Sequence, residues 1–289
     1  MSASSIGTLN VVVIGAGTMG NGIAQTFASF GHAVQLVDVS QAALDRGMGA
    51  IRKSLDRFVK KEKLSQEQSD EIFGRIQTNT DLKAAAGTAE LVVEAVFEQE
   101  EVKKDIFRVL DEVAPKDCIL ASNTSSISIT RIAAVTSRPE KVIGMHFMNP
   151  VPLMKLVEII RGECTDEATL ERTVAISEAL GKTVGVAGDY PGFIANRILM
   201  PMINEAAFSL FEGIATKEDI DTIMKLGMNH PMGPLTLADF IGLDVIVEIL
   251  DVLYEGFGDP KFRCCPMLRR MVEAGKLGRK SGEGFYKYN

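Results

Sequence analysis

A chain of 289 residues, 46% apolar and 24% charged, can bury one large core or two medium ones and has the composition of a globular enzyme. Its formal net charge of −7 argues against a general nucleic-acid binder and leaves a polyanionic ligand only a local basic patch. Four cysteines (Cys118, Cys164, Cys264, Cys265) and three histidines (His32, His146, His230) match neither a disulfide framework nor a zinc pattern, so no metal site and a reduced, cytoplasmic setting are expected.

Residues 1–10 are short and polar, with neither an apolar signal core nor an Arg-rich amphipathic stretch, so no export or transit segment is expected. Strands are expected over 11–14, 34–37, 91–94, 119–121, 142–146, 155–160 and 183–186, alternating with amphipathic helical stretches. That alternation predicts a Rossmann-type, mostly parallel sheet covered by helices. The first helix, 18–30, puts Ile23, Phe27 and Phe30 on one face and stops at Gly31. Residues 41–80 contain no convincing strand and read as an inserted helical hairpin turning near Leu64 and Ser65. Gly188-Asp189-Tyr190-Pro191-Gly192 marks a boundary, dividing a 1–188 Rossmann-type domain from a 189–289 helical domain. Helices are expected there over 193–211, 217–226, 235–250 and 267–274, the first apolar almost all round and so buried on several sides. Its most apolar stretch, 198–204, is too short to span a bilayer, and no membrane association is expected.

Val11 to Ile14 runs into Gly15-Ala16-Gly17-Thr18-Met19-Gly20, a G-x-G-x-x-G turn between strand and helix. The glycines serve a tight turn, close approach of backbone to a pyrophosphate, and close helix–strand packing, while the helix N-terminus offers N–H groups to phosphate. Alone the pattern is a glycine-rich turn; here it opens the first βαβ unit. The second strand ends at Asp38, eighteen residues past Gly20, placed to accept a ribose 2′-hydroxyl and repel a 2′-phosphate. No basic residue follows until Arg46, which favours NAD over NADP.

The strand over 142–146 ends in His146, at a carboxyl edge where open α/β sheets bind ligands. The next strand carries one acid among apolar residues, Glu158. If the chain reverses around Pro152, His146 and Glu158 lie equidistant from the turn and face each other. A carboxylate on one ring nitrogen fixes the tautomer and leaves the other nitrogen to take a hydroxyl proton. Ser122-Asn123-Thr124-Ser125-Ser126 follows another carboxyl edge and offers both a helix cap and a polar site group. Asn196 is a buried amide in need of a partner.

Six basic residues (Arg52, Lys53, Arg57, Lys60, Lys61, Lys63) against two acidic ones lie between Ala50 and Leu64, opposite a stripe of Ile51, Leu55, Phe58 and Val59. The stretch is either a solvated face or a local patch for an anion such as the phosphates of CoA.

GAGTMGNGIA (15–24), EAVFEQEEVKKDIF (94–107), SNTSS (122–126), HFMNPVPLMKLVEII (146–160), YPGFIANRI (190–198) and GRKSGEGFYKY (278–288) together resemble the 3-hydroxyacyl-CoA dehydrogenase family, from Asn10 to Tyr288. The resemblance implies NAD-dependent oxidation of a short (S)-3-hydroxyacyl-CoA such as 3-hydroxybutyryl-CoA, and the reverse reduction of acetoacetyl-CoA. It implies His146 as base with Glu158 as its partner, and Ser125 and Asn196 on the reacting oxygen. Glu98, Lys103, Ser125, Asn149 and Lys280 match cofactor-contacting positions, and Ser54 and Lys61 match CoA contacts. A homodimer through the helical domain is also implied. A related sugar-acid (gulonate-type) dehydrogenase and a non-catalytic NAD-binding protein are the competing readings.

Overall fold

The computed structural model describes residues 6–288, so the reading of 1–10 as lacking a leader falls partly outside the described residues. The chain divides after Asp189 into two compact units, one residue beyond the expected boundary.

The first unit contains β1 (Asn10–Ile14), α1 (Thr18–Ser29), β2 (Ala33–Val37), α2 (Gln41–Lys60), α3 (Gln66–Gly74), β3 (Ile76–Asn79), α4 (Leu82–Ala86) and β4 (Leu91–Glu94). It continues through α5 (Glu100–Val113), β5 (Ile119–Ser122), α6 (Ile129–Ala133), β6 (Val142–Phe147), β7 (Leu156–Arg161), α7 (Glu167–Ala179) and β8 (Thr183–Gly188). One sheet of order β3-β2-β1-β4-β5-β6-β7-β8 results, parallel except at β6–β7. Every residue of β4, β5 and β6 is buried, which is why these strands read as apolar runs with one polar residue each, Glu94, Ser122 and His146, toward the carboxyl end.

The expected hairpin is present as α2 and α3, but the same stretch ends in β3, where no strand was expected. The strand pairs with β2 alone, buries Ile76 and exposes Gln77 and Thr78, so an edge position left no apolar pattern to read. Gly31 takes φ of 89° just after α1, as a left-handed stop requires.

The second unit contains α8 (Ala195–Phe211), α9 (Lys217–Gly227), α10 (Pro234–Ile241), α11 (Leu243–Phe257) and α12 (Pro266–Glu273). The single helix expected over 235–250 is thus two, broken at Gly242, whose φ of 109° no helix accommodates. Helix α8 buries Met200, Ile203, Ala206 and Ala207 on one side, while Ile198 stays 65% exposed in the single chain. Burial of α8 on several sides is therefore not what one chain achieves.

Asp239 of α10 is buried and accepts hydrogen bonds from Phe285 N and Tyr286 N, both 2.8 Å, and from the Tyr288 hydroxyl. A Cβ on Gly284 would fall 2.0 Å from its Oδ1, so the glycine is there to let the carboxylate in. Asp239→Asn should turn an NH2 group against one of these donors and cost about 1–3 kcal/mol. Urea unfolding should report the loss, and hydrogen exchange at Phe285 and Tyr286 should quicken; unchanged exchange would mean that the tail is held by other contacts.

Candidate active site

The glycine turn bends where the strand order reverses, between β1's neighbours β2 and β4. Gly15 N donates to Val37 O on one side, and Ala95 N donates to Ile14 O on the other, both at 2.7 Å. At Gly15, with φ of 98°, a Cβ would sit 2.6 Å from Ala95 O, so the turn admits only glycine. A Cβ on Gly17, by contrast, would meet nothing within 4 Å. No protein atom demands that glycine, which is what a backbone left clear for a ligand looks like. Gly17 is also the N-cap of α1, with no side-chain cap, so the N–H groups of Thr18, Met19 and Gly20 face the same opening. The residues fit a dinucleotide pyrophosphate. Asp38 lies one residue past β2, where its carboxylate accepts from Ala16 N at 3.0 Å and from Ser40 N at 3.1 Å. Its place beside the turn is the one expected.

Strands β6 and β7 pair antiparallel with His146 directly opposite Glu158. Both side chains are buried, and His146 Nδ1 lies 3.0 Å from Glu158 Oε2. The reversal around Pro152 thus brings together the two residues as the spacing required. Asn123, just past β5, accepts from Phe147 N at 2.9 Å and ties the end of β6 to the SNTSS segment.

That segment is organised by an acid from another strand end. Glu98 Oε1 accepts from Thr124 Oγ1, from Ser125 N and Oγ, and from Ser126 N and Oγ, at 2.5 to 3.2 Å. Of the segment's hydroxyls, Thr124 receives Ser126 N and Ile127 N, while the cap of α6 is Ser128, two residues further on. Beneath lies a buried ion pair that sequence reasoning missed. Lys103, 1% exposed, donates to Glu94 Oε1 at 2.7 Å and lies 3.3 Å from Glu98 Oε2. Glu94 also accepts from Ser122 Oγ at 2.6 Å and Val96 N at 2.7 Å. The available signal was an acid closing an all-apolar strand, a placement that requires partners.

Ser54 and Lys61 lie on and just after α2, half-buried and exposed, and Asn149 is exposed in the β6–β7 turn. In the second unit, Asn196 is buried in the first turn of α8, and Lys280 donates to Asp244 Oδ2 at 2.6 Å.

Burial works against the charged form of Glu98, yet the Lys103 ammonium, the Thr124 hydroxyl, the Ser125 amide and the Ser126 hydroxyl hold its carboxyl below the usual glutamate range. A carboxyl whose pKa falls on folding stabilises above its unfolded value, about 4.3, and that contribution disappears as acid titrates the folded group. Urea midpoints of the wild type and Glu98→Gln should therefore converge as the pH falls below that value. A gap independent of pH would mean that the charge of Glu98 does not stabilise the site.

Residues 10–190 match the family model described as 3-hydroxyacyl-CoA dehydrogenase, NAD binding domain, and residues 192–288 match the C-terminal domain of the same family. A probable 3-hydroxybutyryl-CoA dehydrogenase of Bacillus subtilis is 52% identical over 278 residues, covering 96% of each chain. A probable 3-hydroxybutyryl-CoA dehydrogenase of Deinococcus radiodurans is 55% identical, covering 96% of this chain and 99% of its own. The crystal structure of (S)-3-hydroxybutyryl-CoA dehydrogenase from Ralstonia eutropha superimposes with a TM-score of 0.94 at 49% identity, covering 98% of this chain and 100% of that one. With two domain matches in family order and relatives above half identity, the chain belongs to the 3-hydroxyacyl-CoA dehydrogenase family.

Proposed function

We propose that this protein interconverts a short (S)-3-hydroxyacyl-CoA, such as 3-hydroxybutyryl-CoA, and its 3-ketoacyl-CoA, with His146 and Glu158 as the acid–base pair. The observation that carries the reading is the 3.0 Å contact between His146 Nδ1 and Glu158 Oε2, at a carboxyl edge it shares with the glycine turn. NAD supplies the hydride acceptor in oxidation and, reduced, the donor in the reverse direction. Because Glu158 engages Nδ1, proton exchange with the substrate's 3-hydroxyl falls to Nε2, and the carboxylate steadies the imidazolium that forms. In the reductive direction the same nitrogen delivers the proton to the ketone oxygen as hydride reaches the carbon.

The family motif assigns Ser125 and Asn196 to the reacting oxygen, and Glu98, Lys103, Asn149 and Lys280 to the cofactor. The buried position of Lys103 supports a role exercised through Glu98. Ser54 and Lys61 would meet CoA on α2. There Arg52 is occupied by Asp70 at 2.6 Å and by the ring of Phe73, so phosphate binding falls to the basic residues nearer Lys61. Dimerisation through the second unit is supported by its exposed Ile198, Ile214, Ile223 and Leu226. Among the described residues no helix is long and apolar enough to cross a membrane, and all four cysteines are free, which fits a reducing cytoplasm.

The test is oxidation of NADH with acetoacetyl-CoA. His146→Ala should lower kcat by about 10²–10⁴ with little change in NADH affinity, and Glu158→Gln should lower it as well. Undiminished turnover by His146→Ala would remove the histidine from the mechanism, and turnover of gulonate alone would favour the sugar-acid reading. Cofactor choice should reside in Asp38. A neutral residue there, with an arginine added beside it, should raise kcat/KM for NADPH relative to NADH, and an unmoved ratio would take the acid off the ribose.

A further inference from the structure

Lys182, immediately before β8, is a buried cation outside the pair already described. It is 8% exposed, and among the described residues no carboxylate lies within ion-pair distance of it. Its ammonium donates instead to two carbonyls, Val151 O at 2.6 Å and Met154 O at 2.7 Å. Both belong to the turn between β6 and β7, the segment that joins His146 to Glu158. The turn is also held through backbone: Thr183 N, next to the lysine, donates to Lys155 O at 2.7 Å. Leu153 N and Met154 N both donate to Pro150 O, and Val151 packs into the core against α1, where a Cβ on Gly22 would stand 3.0 Å from Val151 Cβ. Leu153 and Met154 themselves are exposed. Burial pulls the lysine pKa below its usual value, so the charge is kept at a cost that a methionine of similar length would not carry. What a methionine could not do is satisfy the two carbonyls.

We propose that Lys182 is a positioning residue for the His146–Glu158 pair, fixing the turn that joins their strands and thereby the alignment of imidazole with carboxylate. The proposal rests on the reading of His146 as the acid–base group. Small displacements of a catalytic pair cost far more in rate than in stability, because the reacting atoms need near-contact geometry.

The experiment measures acetoacetyl-CoA reduction at saturating NADH by Lys182→Met, alone and combined with His146→Ala. Lys182→Met should lower kcat by about 10- to 100-fold and leave KM for NADH within about two-fold. The double variant should turn over within about two-fold of His146→Ala alone, since a residue acting through the histidine has nothing left to position. Unchanged kcat with only a lower Tm overturns the proposal, and so do losses that multiply in the double variant. If Lys182→Met fails to fold, Lys182→Gln keeps one donor arm and should show an intermediate loss; wild-type kcat in that folded variant is equally fatal. Wild-type turnover by His146→Ala would instead sink the parent reading, a result told apart by the single variant alone.

Discussion

Six of the eight strands of the first unit run one way and β7 and β8 run the other, and the single reversal, at β6–β7, is what creates the pair. In a parallel sheet a strand's carboxyl end never faces the start of the next strand along the same edge, because a crossover helix separates them. Reversing β7 on β6 puts residues twelve apart in the chain side by side, His146 across from Glu158. Gly144 is part of the same device: a Cβ there would stand 2.6 Å from Ile160 Cβ, so the two strands meet this closely only over a glycine. The pair, the turn beyond it and the anchoring of that turn by Lys182 all follow from one change of strand direction.

The neighbouring strand ends solve a different problem. Glu94 and Lys103 are both buried, and removing two charges from water costs several kcal/mol for each ion. Their 2.7 Å contact offsets this only because the remaining valences are filled: Glu94 by Ser122 and Val96 N, Lys103 by Glu98 and Val96 O. Glu98 then reaches over the SNTSS segment and holds Ser125 by both its amide and its hydroxyl. A segment held in this way is ordered before any ligand arrives, which lowers the entropic cost of binding there.

Which parts of this were legible in the amino-acid sequence follows from how far apart the partners are. The glycine turn reads because strand, turn and helix are contiguous. The His146–Glu158 register reads because the reversal lies midway between them at Pro152. The Glu98 cluster was opaque: its serines lie 27 and 28 residues away on another strand's exit, and only the sheet brings them together. Lys103 was misleading in a second way, since a lysine on an amphipathic helix has the pattern of a solvated residue, yet α5 turns this one inward. Strand β3 escaped because an edge strand has no apolar face to announce it, and the break at Gly242 because an apolar helix on either side hides a single residue of positive φ.

One device recurs through both units and gives the acidic surplus of the chain a structural meaning. Carboxylates accept backbone amides where the chain turns. Asp189 takes Ile129 N and Thr130 N at the start of α6. Asp221 takes Leu235 N and Thr236 N at the start of α10, where Gly233 has no side chain and a Cβ would lie 2.2 Å from the Asp221 carboxyl carbon. Asp239 takes Phe285 N and Tyr286 N, and Glu98 takes Ser125 N and Ser126 N. Each aspartate here uses both oxygens, which is the reason an amide cannot substitute: asparagine would turn its own N–H toward a donor. Charge-assisted bonds of this kind contribute roughly 1.5–3 kcal/mol each. They also convert a flexible entry into a helix into a fixed one, and in the first unit the fixed entry is the segment that carries Ser125.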